Sequence, residues 1–348
     1  MTGEAEICVV GAGAVGGYTA AMMSRGGFET ILVDPWREHI AEIKKNGLRI
    51  ETPENDFVQT IEALHVDEAQ ALSQRSISTA FICMKMYDTA WATELVLPFL
   101  GSDGCIVTMQ NGLMEPLVAE RAGPERTLGC IASTLSTHLV GPRHIVRARE
   151  SGGEAYDVFR IGELDGRATP RVRQLAEILG VVDSARVSEN ILGERWTKLI
   201  ENAMTSALSG ITGLDMRTMF DDPALVDFMV RIAAEGLALG EALDYTVTAV
   251  RGLEPAIWRA AVAGDAAARA AVDGQFKRER RRIKGRNLSG IAQDIAKGRT
   301  TEIEYMNGYL EEKGRALGIP VEANSKVAEL VRRLERGEIG QSRDALAS

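Results

Sequence analysis

Lys198, Asn202 and Ser206 stand at four-residue intervals in the second half of this 348-residue chain, and the positions around them, Leu199, Ile200, Met204, Ala207 and Leu208, are apolar. Residues four apart share a helix face, so the pattern is a polar stripe set into an otherwise packed helix, as in a cleft wall. Desolvation in a cleft lowers the pKa of a lysine and makes it a workable acid or base near neutrality. The competing reading is an exposed lysine near the start of an amphipathic helix. Glu302, within Thr301-Glu302-Ile303-Glu304-Tyr305-Met306-Asn307-Gly308, has the charge to offset and orient such an ammonium if the two segments face each other. The four histidines, His39, His65, His138 and His144, show no spacing that marks one as catalytic, and loops or surfaces account for them.

A second constellation lies near the start of the chain. Gly11-Ala12-Gly13-Ala14-Val15-Gly16 is a G-x-G-x-x-G run that follows the apolar stretch Ile7 to Val10 and precedes an alanine- and methionine-rich segment reaching Ser24. Asp34 stands 18 positions beyond the last glycine. Strand, glycine turn, helix and distal carboxylate in this order form a dinucleotide fingerprint, far more specific than the glycines alone. Gly11 permits the tight turn, Gly13 lets the backbone approach a pyrophosphate, Gly16 allows close helix-to-strand packing, and the N–H groups opening the helix meet the phosphates. Asp34 is placed to accept from the adenosine ribose hydroxyls and to repel a 2′-phosphate, which points to NAD. Arg37, three residues on, could meet that phosphate and keeps NADP open. Hydride transfer to a carbonyl needs a proton donor for its oxygen, and Lys198 is the side chain that this pattern offers.

These residues imply the elements that carry them. Ile7 to Val10, the helix closed by Gly26-Gly27, and the β-branched run Thr30 to Val33 make one βαβ unit, and further buried strands are expected at Thr79 to Met84 and Cys105 to Thr108. Beyond about residue 189 helical periodicity takes over, with helices expected over Ile191 to Ser209, Pro223 to Leu243 and Thr301 to Leu317. The expected fold is α/β: an N-terminal Rossmann-type parallel-sheet domain, 1–187, holding the dinucleotide, and a mostly α-helical C-terminal domain, 188–348, carrying substrate and catalytic residues. Pro255 to Arg286 is alanine-rich and then basic, with Lys277, Arg278, Arg280, Arg281, Arg282, Lys284 and Arg286 crowded together, either a solvated helix face or an anion contact. Phe228, Met229, Ile232 and Leu237 offer either a homodimer face or intradomain core.

Composition narrows the partners. A net charge of −9 argues against nucleic acid, and no apolar run approaches the length of a membrane span. Cys8, Cys83, Cys105 and Cys130 lie far apart in apolar runs without metal-ligand spacing, so they read as buried thiols in a reducing compartment, with no metal. The opening Met-Thr-Gly-Glu-Ala-Glu lacks the basic start of a signal peptide. A cytoplasmic protein acting on a small molecule is the expectation.

Taken together these motifs resemble the ketopantoate reductase family over nearly the whole chain. Gly11 to Tyr18 is similar to the family's opening, Lys85 to its cofactor-side lysine, Gln110-Asn111-Gly112 to its Q-N-G turn, Lys198 with Asn202 to its K-x-x-x-N, and Thr301-Glu302-Ile303 to Asn307-Gly308 to its T-E-I-x-x-x-N-G segment. The resemblance implies reduction of a 2-keto acid to a D-2-hydroxy acid with a nicotinamide cofactor. Lys198 is then the general acid, Asn202 and Glu302 bind substrate, and Lys85 with Asn111 hold the nicotinamide ribose side. Two departures stand out: the pantoate-forming enzymes carry a second asparagine where this chain has Ser206, and a serine twelve residues before the glutamate where it has Gly290. They imply a substrate other than ketopantoate. The rival readings are a β-hydroxyacid dehydrogenase, which shares the lysine and asparagine but not the Q-N-G turn, and a dinucleotide-binding sensor without turnover.

Overall fold

The computed structural model describes residues 6–153, 155–283, 285 and 288–346. The chain divides into two compact units, Met1–Ile191 and Leu192–Ser348.

The first unit is built on strands β1 (Glu6–Val10), β2 (Thr30–Asp34), β3 (Leu48–Glu51), β4 (Asp56–Gln59), β5 (Glu62–His65), β6 (Ile77–Ile82), β7 (Leu100–Thr108), β8 (Thr127–Ala132), β9 (Thr137–Gly141), β10 (His144–Arg147), β11 (Phe159–Glu163) and β12 (Ala185–Val187). Eight of them form one sheet in the order β12-β11-β8-β7-β6-β1-β2-β5. The run from β8 to β5 is parallel, and β11 joins β8 antiparallel. Alternation within the strands divides the core between the two faces. Ile7, Val9, Leu32, Phe81 and Val107 pack with residues of α1 (Ala14–Arg25) and α5 (Pro170–Gly180). Cys8, Val10, Ile31, Val33 and Ile106 pack with Ala92 and Val96 of α3 (Thr89–Val96) and Val118 and Ala122 of α4 (Glu115–Ala122). Strands covered on both sides explain why these segments read as continuous apolar runs.

The sequence did not announce a second sheet, β4-β3-β10-β9. Its strands are four or five residues long and half-exposed, too short for a period to register. A buried ion pair holds it in place: Arg147 at the end of β10 donates to Asp183, beyond α5, and to the Tyr18 hydroxyl of α1 at 2.9 Å. Both charged side chains are 1% exposed.

Among the described residues the second unit is helical: α6 (Ile191–Thr212), α7 (Met216–Met219), α8 (Pro223–Ala242), α9 (Pro255–Val262), α10 (Ala266–Arg282), α11 (Gly290–Ala296), α12 (Asn307–Leu317) and α13 (Glu322–Glu335). Close approach to α8 and α11 is made at glycines: a Cβ on Gly236 would lie 2.7 Å from Ile200, and one on Gly210 would lie 2.6 Å from Ile291. The expected helix Thr301 to Leu317 is in fact broken. A short 3-10 turn over Ile303–Tyr305 ends at Met306, whose φ of −119° and ψ of −103° leave the helical region, and α12 starts afresh at Asn307. The basic stretch becomes the end of α10, where Arg280 pairs with Asp221 at 2.5 Å while Lys277, Arg278, Arg281 and Arg282 are exposed, a solvated helix face. Lys284 and Arg286 lie outside the described residues. Met229, Ile232 and Leu237 belong to the intradomain core, and Phe228 is half-buried. Cys8, Cys105 and Cys130 are buried, whereas Cys83 is half-buried. No helix among the described residues is long and apolar enough to cross a membrane.

Candidate cofactor and catalytic residues

The glycine run turns the chain from β1 into α1. Gly11 adopts φ +107°, a conformation other residues rarely reach. Gly16 lies so close to this turn that a Cβ on it would sit 2.0 Å from the Gly11 carbonyl oxygen and 2.6 Å from the Cys83 Cβ. Space opens instead at Gly13, where a Cβ would meet nothing within 4 Å, and no side chain caps the start of α1. An uncapped helix N-terminus facing open space is what a pyrophosphate requires. Asp34 closes β2 and is 9% exposed. Its Oδ2 accepts from the Ala12 amide at 2.7 Å and its Oδ1 from the Trp36 amide at 2.8 Å, so the carboxylate braces the glycine turn. Each oxygen keeps a further lone pair for a hydroxyl. Arg37 is paired with Asp67 at 2.5 Å on the surface.

Lys85 follows β6 and is half-buried at the head of the turn Met86–Asp88. Gln110, after β7, is buried and donates through Nε2 to the Thr89 hydroxyl at 2.6 Å; that hydroxyl donates to the Met86 carbonyl at 2.7 Å. The relay ties the Gln110-Asn111-Gly112 turn to the Lys85 turn and leaves Asn111 exposed at its tip, while Gly112 takes φ +72°. Because β7, β6, β1 and β2 are neighbours, Asn111, Lys85, the glycine turn and Asp34 gather along one edge, the carboxyl ends of the strands. The chain order reverses between β6 and β1, the point at which open α/β sheets take ligands.

In the second unit Lys198, Asn202 and Ser206 lie half-buried along α6, between Leu199, Ile200, Met204, Ala207 and Leu208, all 0% exposed. The Asn202 Nδ2 is buried and finds no hydrogen-bond partner among the described residues. Glu302 is half-buried at the head of the 3-10 turn, and its segment is moored to α6 by Asn307: that fully buried amide donates to the Ala203 carbonyl at 3.2 Å and to Asn324 Oδ1 at 3.0 Å. Ser289 caps α11 by accepting from Ala292, and its hydroxyl donates to the Ser206 carbonyl at 2.8 Å. Among the described residues, a Cβ on Gly290 would meet nothing within 4 Å.

Sequence reasoning missed Thr89 and His39, and it quoted Asn307 within the T-E-I-x-x-x-N-G segment without a role of its own. Thr89 and Asn307 act as relays, and only the fold shows what they connect. His39 is fully buried, not a surface residue, with its Nε2 2.9 Å from the Ala12 carbonyl oxygen. His65, 8% exposed, stands likewise 3.0 Å from the Pro35 carbonyl. Their partners are backbone atoms, which leave no trace in residue type.

A doubly wound sheet with a dinucleotide turn, followed by a helical unit bearing a lysine-asparagine stripe, defines the class of two-unit nicotinamide-dependent oxidoreductases. Residues 7–162 match the family described as Ketopantoate reductase PanE/ApbA, and residues 190–335 match Ketopantoate reductase PanE/ApbA C terminal. The 2-dehydropantoate 2-reductase of Mesorhizobium japonicum is 27% identical, over 95% of this chain and 99% of the relative. A PanE/ApbA family ketopantoate reductase from Ralstonia eutropha superposes with a TM-score of 0.78 at 26% identity, covering 96% of this chain and 99% of the other. A D-mandelate dehydrogenase, solved with NADH and anilino(oxo)acetate, has the same fold, with a TM-score of 0.79 at 20% identity over 95% of this chain and 98% of its own. This chain belongs to the ketopantoate reductase family. It is an NAD(P)-dependent oxidoreductase working between a 2-keto acid and a 2-hydroxy acid.

Proposed function

We propose that this protein uses NADH to reduce a 2-keto acid other than ketopantoate to the D-2-hydroxy acid, with Lys198 as general acid. The observation that carries the reading is the buried Nδ2 of Asn202, which finds no partner among the described residues, one helical turn from Lys198. Orphan buried donors are costly, and one beside a candidate acid suits a group that finds its acceptor in substrate.

The glycine turn and the start of α1 hold the pyrophosphate, Asp34 takes the adenosine ribose and repels a 2′-phosphate, and Lys85 with Asn111 hold the nicotinamide ribose side. The bound nicotinamide supplies the hydride. The Lys198 ammonium delivers a proton to the carbonyl oxygen as negative charge develops there, Asn202 donates a hydrogen bond to the substrate, and Glu302 orients both substrate and ammonium. In the oxidative direction Lys198 acts as base.

The substrate side chain is read from what the pocket residues lack. Ser206 is shorter than the asparagine of the pantoate-forming pattern, Gly290 is bare, and the Ser289 hydroxyl is committed to the Ser206 carbonyl. Two polar contacts to a hydroxylated side chain are missing, each worth about 1 kcal/mol. A bulkier, less polar 2-keto acid fits better, and aromatic ones head the panel because the D-mandelate dehydrogenase shares this fold. The test is loss of nicotinamide absorbance with NADH and NADPH against a panel of 2-keto acids, ketopantoate included. Lys198→Ala is expected to lower kcat by at least about a hundredfold with NADH affinity kept. Unchanged turnover in that variant would overturn the lysine assignment, and turnover confined to ketopantoate would overturn the substrate reading.

A further inference from the structure

We propose that His39 is a positioning residue for the dinucleotide, clamping the glycine turn to the second sheet through both of its ring nitrogens. The inference rests on the nicotinamide-binding reading above. The Nδ1 of His39 accepts from the Arg143 amide at 2.9 Å, and its Nε2 lies 2.9 Å from the Ala12 carbonyl oxygen. A backbone N–H can only donate and a carbonyl can only accept, so Nδ1 is bare and the proton sits on Nε2. The neutral ring in one tautomer is therefore specified by its neighbours.

The clamp is two-sided. Ala12, between the first two glycines of the motif, gives its N–H to Asp34 and its carbonyl to His39. Trp36 stacks flat on the imidazole, with ring centroids 5.1 Å apart and 13° between planes. Arg143, in the turn between β9 and β10, takes φ +53°, uncommon for a residue with a side chain. Gly17 lets β10 close over the same carbonyl: a Cβ there would lie 2.9 Å from Ala12 O and 2.7 Å from Ile145. Moving His39 thus moves the turn that aims the N–H groups of α1.

A second proton on Nδ1 would set two donors against each other at the Arg143 amide and release the turn. The charged groups around the ring are Asp34, which favours that proton, and Arg143, whose guanidinium reaches the Asn46 and Gly47 carbonyls and lies 3.9 Å from Glu42. Burial outweighs both the hydrogen bond to the Ala12 carbonyl and the charge of Asp34, and holds the His39 pKa below its usual value. Cofactor affinity should therefore be flat at neutral pH and fall on acidification.

The test compares His39→Gln, which keeps a donor at the Nε2 position and cannot titrate, with His39→Asn, which keeps the acceptor and loses the donor. NADH dissociation constants are measured by fluorescence between about pH 5 and 8. Amide exchange of residues 12–17 is followed in the cofactor-free proteins at one pH, with thermal melting to confirm that each variant is folded. Wild type should weaken about tenfold at the acid end, His39→Gln should bind evenly throughout, and His39→Asn should bind weakly at every pH with faster exchange in the turn. An acid loss that persists in His39→Gln, or wild-type affinity and exchange in His39→Asn, overturns the proposal. Failure of wild type to bind either NADH or NADPH at any pH would instead overturn the nicotinamide reading, and the exchange comparison would still decide the clamp.

Discussion

Asn202 and Asp34 are polar groups in opposite predicaments. The Asn202 Nδ2 finds no partner among the described residues, so Asn202→Ala removes an unsatisfied donor and should leave the unfolding free energy unchanged or slightly higher while kcat/KM falls at least about tenfold. Parallel urea denaturation and steady-state kinetics check this, and a variant equally impaired in both would place the residue in the scaffold. Asp34 has two backbone partners as well as its expected sugar contact. Asp34→Ala should therefore weaken NADH and NADPH together rather than exchange one preference for the other, as paired cofactor titrations would reveal. The glycines and Asp34 were legible in the sequence because a left-handed turn, a close approach and a carboxylate at a strand end each demand a residue type. His39 was not, since its contacts to Ala12 and Arg143 span 27 and 104 positions and engage only main-chain atoms.

Among elements, the strands buried on both faces were readable as continuous apolar runs, and the striped α6 by its helical period. The second sheet and the break before α12 were not. The sheet depends on pairing β3 with β10, nearly a hundred residues apart, and the break on Asn307 reaching Ala203. Element joints also carry stability. Glu235 of α8 accepts from the Ala323 and Asn324 amides at 2.8 and 2.9 Å, so one helix caps the N-terminus of another. Glu235→Ala should cost about 1 to 2 kcal/mol, read from the unfolding midpoint. Removing Asp183 strands the buried Arg147 guanidinium, and Asp183→Ala should cost about 3 to 5 kcal/mol, enough to loosen the second sheet. A midpoint within about 1 kcal/mol of wild type would contradict that account.

The whole molecule has two compact units, and each should respond to its own perturbation. If the first unit binds the dinucleotide, NADH at about a hundred times its Kd should add about 2.7 kcal/mol to the unfolding of residues 1–191, a shift resolvable by calorimetry. Acid should act in the opposite sense on the same unit. With the folded His39 pKa held below the unfolded value of about 6.5, the unfolded chain takes the proton first, so stability is constant above that pH and declines as pH falls through it. Denaturation in mild acid should show this slope in wild type and lose its His39 share in His39→Gln.

The unfilled position at Gly290 and the short Ser206 also have a genetic reading. An AGY serine codon is one base from asparagine, and a GGY glycine codon is one base from serine. Two point mutations could therefore carry these two positions toward the pantoate-forming pattern, or carry that pattern here, without disturbing a strand or a helix. If Ser206 and Gly290 set the substrate as proposed, substrate choice is an easily revised trait, resting on a scaffold whose clamps and buried ion pair are far harder to change.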